Sequence, residues 1–247
     1  MSEQAVAWGG ATYERIAETF APIHHRVVAA LELRPGERVL DLACGTGGIA
    51  LRAARAGAEA VGLDISSDQL GKARRAAAEE GLQARFDEGD CQELPYPDAS
   101  FDAVASVFGL IFAPTHALAA DEVTRVTRQG GRLALTAWPD DDWSRLGARL
   151  GREYPPGDNA REWGREQYVR SLLGELFDLR FEWGEWTVER GSADELWELC
   201  STSVPPLKAW LESLDAERYE QARRAYLEFF TGGVVRRAYL LALGTRR

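Results

Sequence analysis

The sequence predicts a doubly wound α/β fold, a mostly parallel sheet with helices packed on both faces. Three observations predict it. Short apolar runs alternate with helix-length stretches between residues 36 and 138. The stretch VLDLACGTGGIA, Val39 to Ala50, reads as a buried strand, a glycine turn and the start of a helix. The chain has 247 residues and is 45% hydrophobic, enough to bury one substantial core with a lid or insertion. Alternation of this kind implies right-handed crossovers, which cover both faces of a parallel sheet with helices.

Residues 11 to 32 show helical periodicity interrupted near Pro22, so two short helices are expected there. Arg34-Pro35-Gly36 is a turn that launches the first strand. Strands are expected at Arg38–Leu42, Ala60–Asp64, Ala84–Glu88, Phe101–Phe108 and Arg132–Ala137. Helices are expected near 48–56, 67–80 and 115–127, with Gly130-Gly131 closing the last of them. After Trp138 the pattern changes. Pro139 to Asp142 and Tyr154 to Asn159 read as loops, and a helix near 164–176 follows. FDLRFEWGEWTVER reads as a strand pair or one bent strand around Gly184. Residues 192–230 read as helical, with breaks at Pro205-Pro206 and near Asp215, and Arg237–Leu243 reads as a buried strand. The expected organisation is an N-terminal helical lid over 1–35, a core over 36–138, and the rest of the sheet over 139–247 with a helical insertion at 192–230.

Composition removes several function classes. The formal net charge is −10, and the nearest basic patches are the short pairs Arg236-Arg237 and Arg246-Arg247, so no nucleic-acid partner is expected. No run of 18 apolar residues is present, so no membrane span is expected. The N-terminus, MSEQAVAWGGATYERIAE, lacks the apolar segment of a secretory signal. Cys44, Cys91 and Cys200 are an odd set without C-x-x-C spacing, which argues for a cytoplasmic setting and against a disulfide framework or a structural metal.

The glycine turn admits two readings, because Gly45, Gly47 and Ala50 also satisfy the loose dinucleotide pattern G-x-G-x-x-G/A. Asp64 ends the second strand nineteen residues after Gly45, where either a nicotinamide nucleotide or another nucleoside would find its ribose acceptor. Three further features decide the reading when taken with the turn: VGLDIS, then EGDCQELPYPDASFD from Glu88 to Asp102, then the helix–turn–strand VTRVTRQGGRLALTAW. These four elements, in this order, resemble the class I S-adenosylmethionine-dependent methyltransferases over about residues 36–138. The nearest subgroup is the small-molecule type that includes ubiquinone/menaquinone-biosynthesis methyltransferases. The resemblance implies a Rossmann-like, seven-stranded, mostly parallel sheet with an antiparallel last strand and helical lid insertions. It implies S-adenosylmethionine as cofactor and S-adenosylhomocysteine as product.

Elementary electrostatics favours that implication. A pyrophosphate is anionic and needs free N–H groups at a helix N-terminus. A sulfonium nucleoside is cationic and carries no phosphate, so Asp41 just before the turn suits it. The resemblance places the methionine portion near Asp41, the backbone passing close at Ala43, Gly45 and Gly47, the ribose on Asp64 with Ile65 beside it, and the adenine on Asp90 and Cys91. Ser106 is expected to border the methionine portion. Tyr13 lies in a segment that begins at Trp8-Gly9 and in similar enzymes closes an aromatic over the cofactor. Phe108, Ile111 and Trp138 end the fourth and fifth strands and are expected to wall the methyl acceptor.

Methyl transfer from a sulfonium needs alignment more than proton transfer, so a loud catalytic dyad is not required. His24 and His25, on the N-terminal segment, are the candidate bases; His116 is expected at a helix start as a cap or a solvent-facing group. The aromatic C-terminal half departs from the quinone methyltransferases and suggests a hydrophobic or aromatic small acceptor, with oxygen, carbon and nitrogen all open as the methylated atom. The expected assembly is a monomer or homodimer. Two other readings stand beside methyl transfer: a catalytically silent cofactor-binding regulatory or scaffold protein, and a nicotinamide-dependent oxidoreductase. The second lacks a Tyr-x-x-x-Lys pair, since only Lys72 and Lys208 occur.

Overall fold

The computed structural model describes residues 12–152 and 159–247. Trp8-Gly9 and the loop from Tyr154 to Asp158 lie outside the described residues. Seven strands form one sheet: β1 (Arg38–Leu42), β2 (Glu59–Asp64), β3 (Ala84–Glu88), β4 (Phe101–Val107), β5 (Thr127–Ala137), β6 (Phe177–Glu189) and β7 (Val234–Arg246). Their order is β3-β2-β1-β4-β5-β7-β6. The pairs from β3 to β5 are parallel, and β7 runs antiparallel to both β5 and β6. Strand β1 is buried on both sides, with Val39, Leu40 and Leu42 fully enclosed, as a central parallel strand requires. The order reverses between β1 and β4, and that switch point opens a crevice at their carboxyl ends.

Ten α-helices are described: α1 (Tyr13–Ala17), α2 (Ala21–Leu31), α3 (Gly48–Arg55), α4 (Ser67–Glu79), α5 (His116–Val126), α6 (Asp142–Arg149), α7 (Glu166–Leu173), α8 (Ala193–Ser203), α9 (Pro205–Glu212) and α10 (Ala216–Phe229). Prolines start α2 and α9, where a missing N–H costs nothing. Asp215 caps α10 by accepting from the Arg218 amide at 2.8 Å, so the breaks expected at Pro205-Pro206 and near Asp215 coincide with helix starts. None of the described helices is long and apolar enough to cross a membrane.

The chain departs from its sequence pattern in three places. Gly130-Gly131 do not close a helix: α5 stops at Val126, where Thr127 turns extended, and the glycines loop out within β5. The register between β4 and β5 slips there, from Phe101↔Thr127 to Ala103↔Arg132. The aspartates after Pro139 hide a helix start, because Asp141 accepts from the Ser144 amide at 3.0 Å and caps α6. Of the two readings of residues 177–190, a single strand is the one observed: β6 runs through Gly184, paired along its length with β7. His116 is fully buried rather than solvent-facing, because Trp163 and Tyr168 from the segment before and within α7 cover it.

Candidate active site

The crevice at the carboxyl ends of β1 to β4 encloses about 740 Å³, counting its mouth. Its chemistry starts with two carboxylates. Asp64 accepts from the Gly45 amide at 2.8 Å through one oxygen and from the Ser66 amide at 2.9 Å through the other. Asp41 accepts from the amides of Ile49 and Ala50, at 3.0 and 2.9 Å, in the first turn of α3. Those amides are the donors a pyrophosphate would need. They are already taken.

Burial pushes the Asp41 carboxyl up to about 7, and the charge of Asp64 adds to the rise. Burial likewise raises Asp64, against hydrogen bonds from Ser66, Gly45 and Ile65 that lower it. Two buried acids, one of which raises the proton affinity of the other, favour a cationic guest and repel a phosphate. Each carboxylate offers about four lone-pair sites, so Asp64 keeps acceptor capacity toward the crevice after its two backbone bonds.

The strand ends are shaped for close approach. Ala43 and Phe108 both hold left-handed backbones, at φ 49° and 59°. Such residues cost about 1–3 kcal/mol each and persist where surroundings force them. Gly109 explains the pinch, since a Cβ there would lie 2.5 Å from the Ala43 Cβ. Gly47, at φ 84°, starts α3 and packs so tightly on Phe86 that a Cβ would sit 3.0 Å from that ring.

Of the residues expected at the cofactor, Tyr13, Ala43, Gly45, Asp64, Ile65, Asp90 and Cys91 line the crevice. Asp90 is exposed at the rim and accepts from the Gln92 amide at 2.8 Å. Burial pushes the Cys91 thiol up to about 12, making it an uncharged wall rather than a nucleophile. The Tyr13 ring lies over Gly45, and burial followed by the charges of Asp64 and Asp41 raises its phenol.

Three expected residues act from behind the lining. Asp41 faces a small side cavity with Tyr13 and Ala43, because its carboxylate is turned into α3. Gly47 is spent on Phe86. Ser106 is fully buried, donating to the Leu42 carbonyl at 2.7 Å and accepting from the Leu110 amide at 2.9 Å, so it clamps β1 to the turn after β4. Leu63, Gln69, Gly89, Val107 and Phe112 also line the crevice. Their apolar or neutral side chains carry no signature in the sequence.

The expected bases line neither this crevice nor the aromatic chamber beside it. His24 packs on the start of α3, where a Cβ at Gly48 would lie 2.4 Å from its ring. Burial, then the charges of Arg52 and His25, lower it to about 3. It is neutral at any ordinary pH but faces the side cavity, not the acceptor space. His25 is exposed on the next face of α2. Neither His24 nor His25 therefore stands where a base for the acceptor would have to be.

A second chamber adjoins the crevice, about 890 Å³ counting its open mouth. Tyr13, Phe108 and Phe112 line both. Phe108 stacks on Trp138 at 3.8 Å with planes only 8° apart, and Ile111 and Trp138 also line the second chamber. Trp143 and Trp186 face it from α6 and β6, and Cys200, Val204 and Pro205 from α8, the turn after it and α9. The roof is tied down: Thr12 hydrogen-bonds Ser203 at 3.1 Å, and the Trp186 indole donates to Thr19 at 3.1 Å. His116 supports the floor, with one ring nitrogen 3.2 Å from the Ile111 carbonyl and the other 2.9 Å from the Tyr168 hydroxyl.

Known proteins carry the same pattern. A family described as a methyltransferase domain matches residues 39–131. An uncharacterized protein of Mycobacterium tuberculosis is 34% identical over 97% of this chain and 93% of its own. A demethylmenaquinone methyltransferase of Thermus thermophilus is 45% identical over 112 residues, 44% of this chain and half of that protein. The crystal structure of the YcgJ protein from Bacillus subtilis superimposes with a TM-score of 0.65 at 21% identity, covering 91% of this chain and 97% of that one. With its two-carboxylate crevice and its reversed seventh strand, the chain belongs to the class I S-adenosylmethionine-dependent methyltransferases that act on small molecules.

Proposed function

We propose that the chain methylates a small hydrophobic or aromatic acceptor, with S-adenosylmethionine in the first chamber and the acceptor in the second. One observation carries the cofactor side: the Gly45 amide of the glycine turn and the Ile49 and Ala50 amides of α3 are occupied by Asp64 and Asp41, leaving a crevice that suits a cation. When bound, S-adenosylmethionine supplies a methyl group on an activated leaving group and departs as S-adenosylhomocysteine. Asp64 accepts the ribose hydroxyls, Asp90 reads the adenine rim with Cys91 as a small wall, and Tyr13 covers the turn. Asp41 acts by fixing α3 and by its negative field.

Phe108 stands between the two chambers, held by its stack on Trp138, and so sets the line along which acceptor and methyl group meet. Among the described residues lining the second chamber there is no histidine, aspartate or glutamate. Positioning alone contributes about 7–11 kcal/mol to reactions of this kind. The chain therefore supports an alignment mechanism, in which the acceptor brings a nucleophile ready to react.

The test is transfer of a labelled methyl group from S-adenosylmethionine to a panel of phenols, amines, carboxylic acids and activated carbon acids, with calorimetry of adenosylhomocysteine alongside. Transfer to at least one apolar member is expected. Tight adenosylhomocysteine binding with no transfer to any class would overturn the enzymatic reading in favour of a cofactor-binding scaffold. Binding of a nicotinamide nucleotide instead would overturn both.

A further inference from the structure

The second chamber is not only aromatic. Arg152, Arg161 and Arg237 also line it, and among its described lining residues no carboxylate appears. In a chain with 29 basic and 39 acidic residues, such a concentration runs against the overall charge. Arg237, on β7, reaches the Asp141 carboxylate at 2.6 Å and lies 4.0 Å over the Trp138 ring and 5.5 Å over Trp143. The faces that form a cage for a cationic acceptor elsewhere are thus already used by the chain's own guanidinium. Arg161 lies 3.7 Å from Asp140, and Arg152, buried just after α6, has its guanidinium 3.5 Å from the Tyr226 hydroxyl.

Resting on the methyl-transfer reading, we propose that the acceptor carries an anionic group, a carboxylate or a phosphate, on its apolar body, and that Arg152 and Arg161 hold that group. A guanidinium presents a planar fork of donors that matches either anion bidentately. Phe108, Trp138, Trp143 and Trp186 take the apolar body, and Arg237, matched by Asp141, fixes the aromatic wall. The chain's net charge repels anions at long range, so recognition is confined to contact inside the chamber. The same arrangement disfavours amines as acceptors.

Trp138, Trp143 and Trp186 make the chamber's occupancy visible as fluorescence quenching. The full chain is titrated with 2-naphthoate, 2-naphthyl phosphate and neutral 2-naphthamide, with and without saturating adenosylhomocysteine. At least one anion is expected to bind about 10- to 100-fold more tightly than the amide, the equivalent of one or two charge-assisted contacts. In Arg152→Gln and Arg161→Gln that preference falls to about threefold or less, while Arg161→Lys restores part of it and adenosylhomocysteine affinity stays unchanged. Arg161 is partly exposed, so its variants test the idea even where the buried Arg152→Gln fails to fold. Preference for the phosphate marks a phosphate ester as acceptor, and preference for the carboxylate marks a carboxylic acid. Equal binding of the amide, absence of binding by all three probes, or an anion preference that survives in Arg161→Gln overturns the proposal. Loss of adenosylhomocysteine binding overturns the methyl-transfer reading instead, because the titration without it reads the anion preference by itself.

Discussion

The Gly45 amide donates to the Asp64 carboxylate at 2.8 Å, so the glycine turn and the end of β2 are one hydrogen-bonded unit. On the proposed reading, replacing Asp64 disturbs the turn and removes the acceptor for the ribose together. Asp64→Asn is expected to weaken adenosylhomocysteine binding by about a hundredfold or more, as for two lost bonds to a charged group of roughly 1.5–3 kcal/mol each. Calorimetry checks this, with circular dichroism to confirm that the fold is kept. A change below about threefold would remove Asp64 from the cofactor site.

Asp41 links the cofactor to pH. Its folded pKa, about 7, lies above the ordinary 3.8, so the free protein holds this proton through the mildly acidic range and loses it as pH rises through about 7. A cationic guest favours the ionised form. Affinity for S-adenosylmethionine, whose sulfonium is the cation, is therefore expected to rise between about pH 6 and 8 and then level, with proton release on binding at the lower end, and the step is expected to be smaller for the neutral-sulfur adenosylhomocysteine. Calorimetry in buffers of different ionisation enthalpy measures that proton. In Asp41→Asn the step disappears.

His24 has the opposite sign. Its folded pKa, about 3, lies below the ordinary 6.5, so the unfolded chain takes the proton first on acidification. The stability it contributes is present above about pH 6.5 and is lost as pH falls toward 3. His24→Asn is expected to flatten the acid limb of a urea-denaturation series by about 1–3 kcal/mol near pH 4.5, at about 1.4 kcal/mol per unit. Methyl transfer near neutral pH should retain the same pH profile in this variant, since the imidazole faces neither chamber. A lost limb in kcat would restore it as a base.

Trp138 stacks on Phe108 on the acceptor side. Trp138→Ala is expected to raise the acceptor KM by roughly tenfold or more, from the lost stack and buried area, and to leave adenosylhomocysteine affinity within about twofold. Steady-state kinetics in both substrates separate the two. Equal losses in both would place Trp138 in the cofactor site.

Gly109 tests the pinch at the switch point. A Cβ there meets the Ala43 Cβ at 2.5 Å and its carbonyl oxygen at 2.7 Å, so the backbone of Ala43 would have to shift. Gly109→Ala should cost about 1–3 kcal/mol, seen as a lower Tm. An unchanged Tm would mean that β1 and β4 separate freely.

The first half of the chain was legible because function and fold use the same residues. Carboxylates and glycines at strand ends announce both the turn and its ligand, and β1 and β3 have the ends their apolar runs suggest. The second half was less so. Aromatic residues serve a core and a pocket equally: Trp163 and Trp197 pack inside, Trp143 and Trp186 line the chamber, and Trp183 is exposed. Their spacing cannot distinguish these fates, which tertiary packing decides. Arg237, on β7, is remote in sequence from Arg152 and Arg161, so only folding brings it beside them. The histidines misled for a related reason: a residue near the cofactor in sequence-derived topology faced the helix start instead.

Tyr13 belongs to both chambers, and the helix that carries it is anchored to α8 through Thr12 and Ser203 and to α4 through Glu14 and Lys72, 2.9 Å apart. Lifting that helix to free the spent nucleoside also opens the ceiling above the methylated product. On the proposed reading the two departures are therefore expected to be coupled, through a common door rather than by two separate exits.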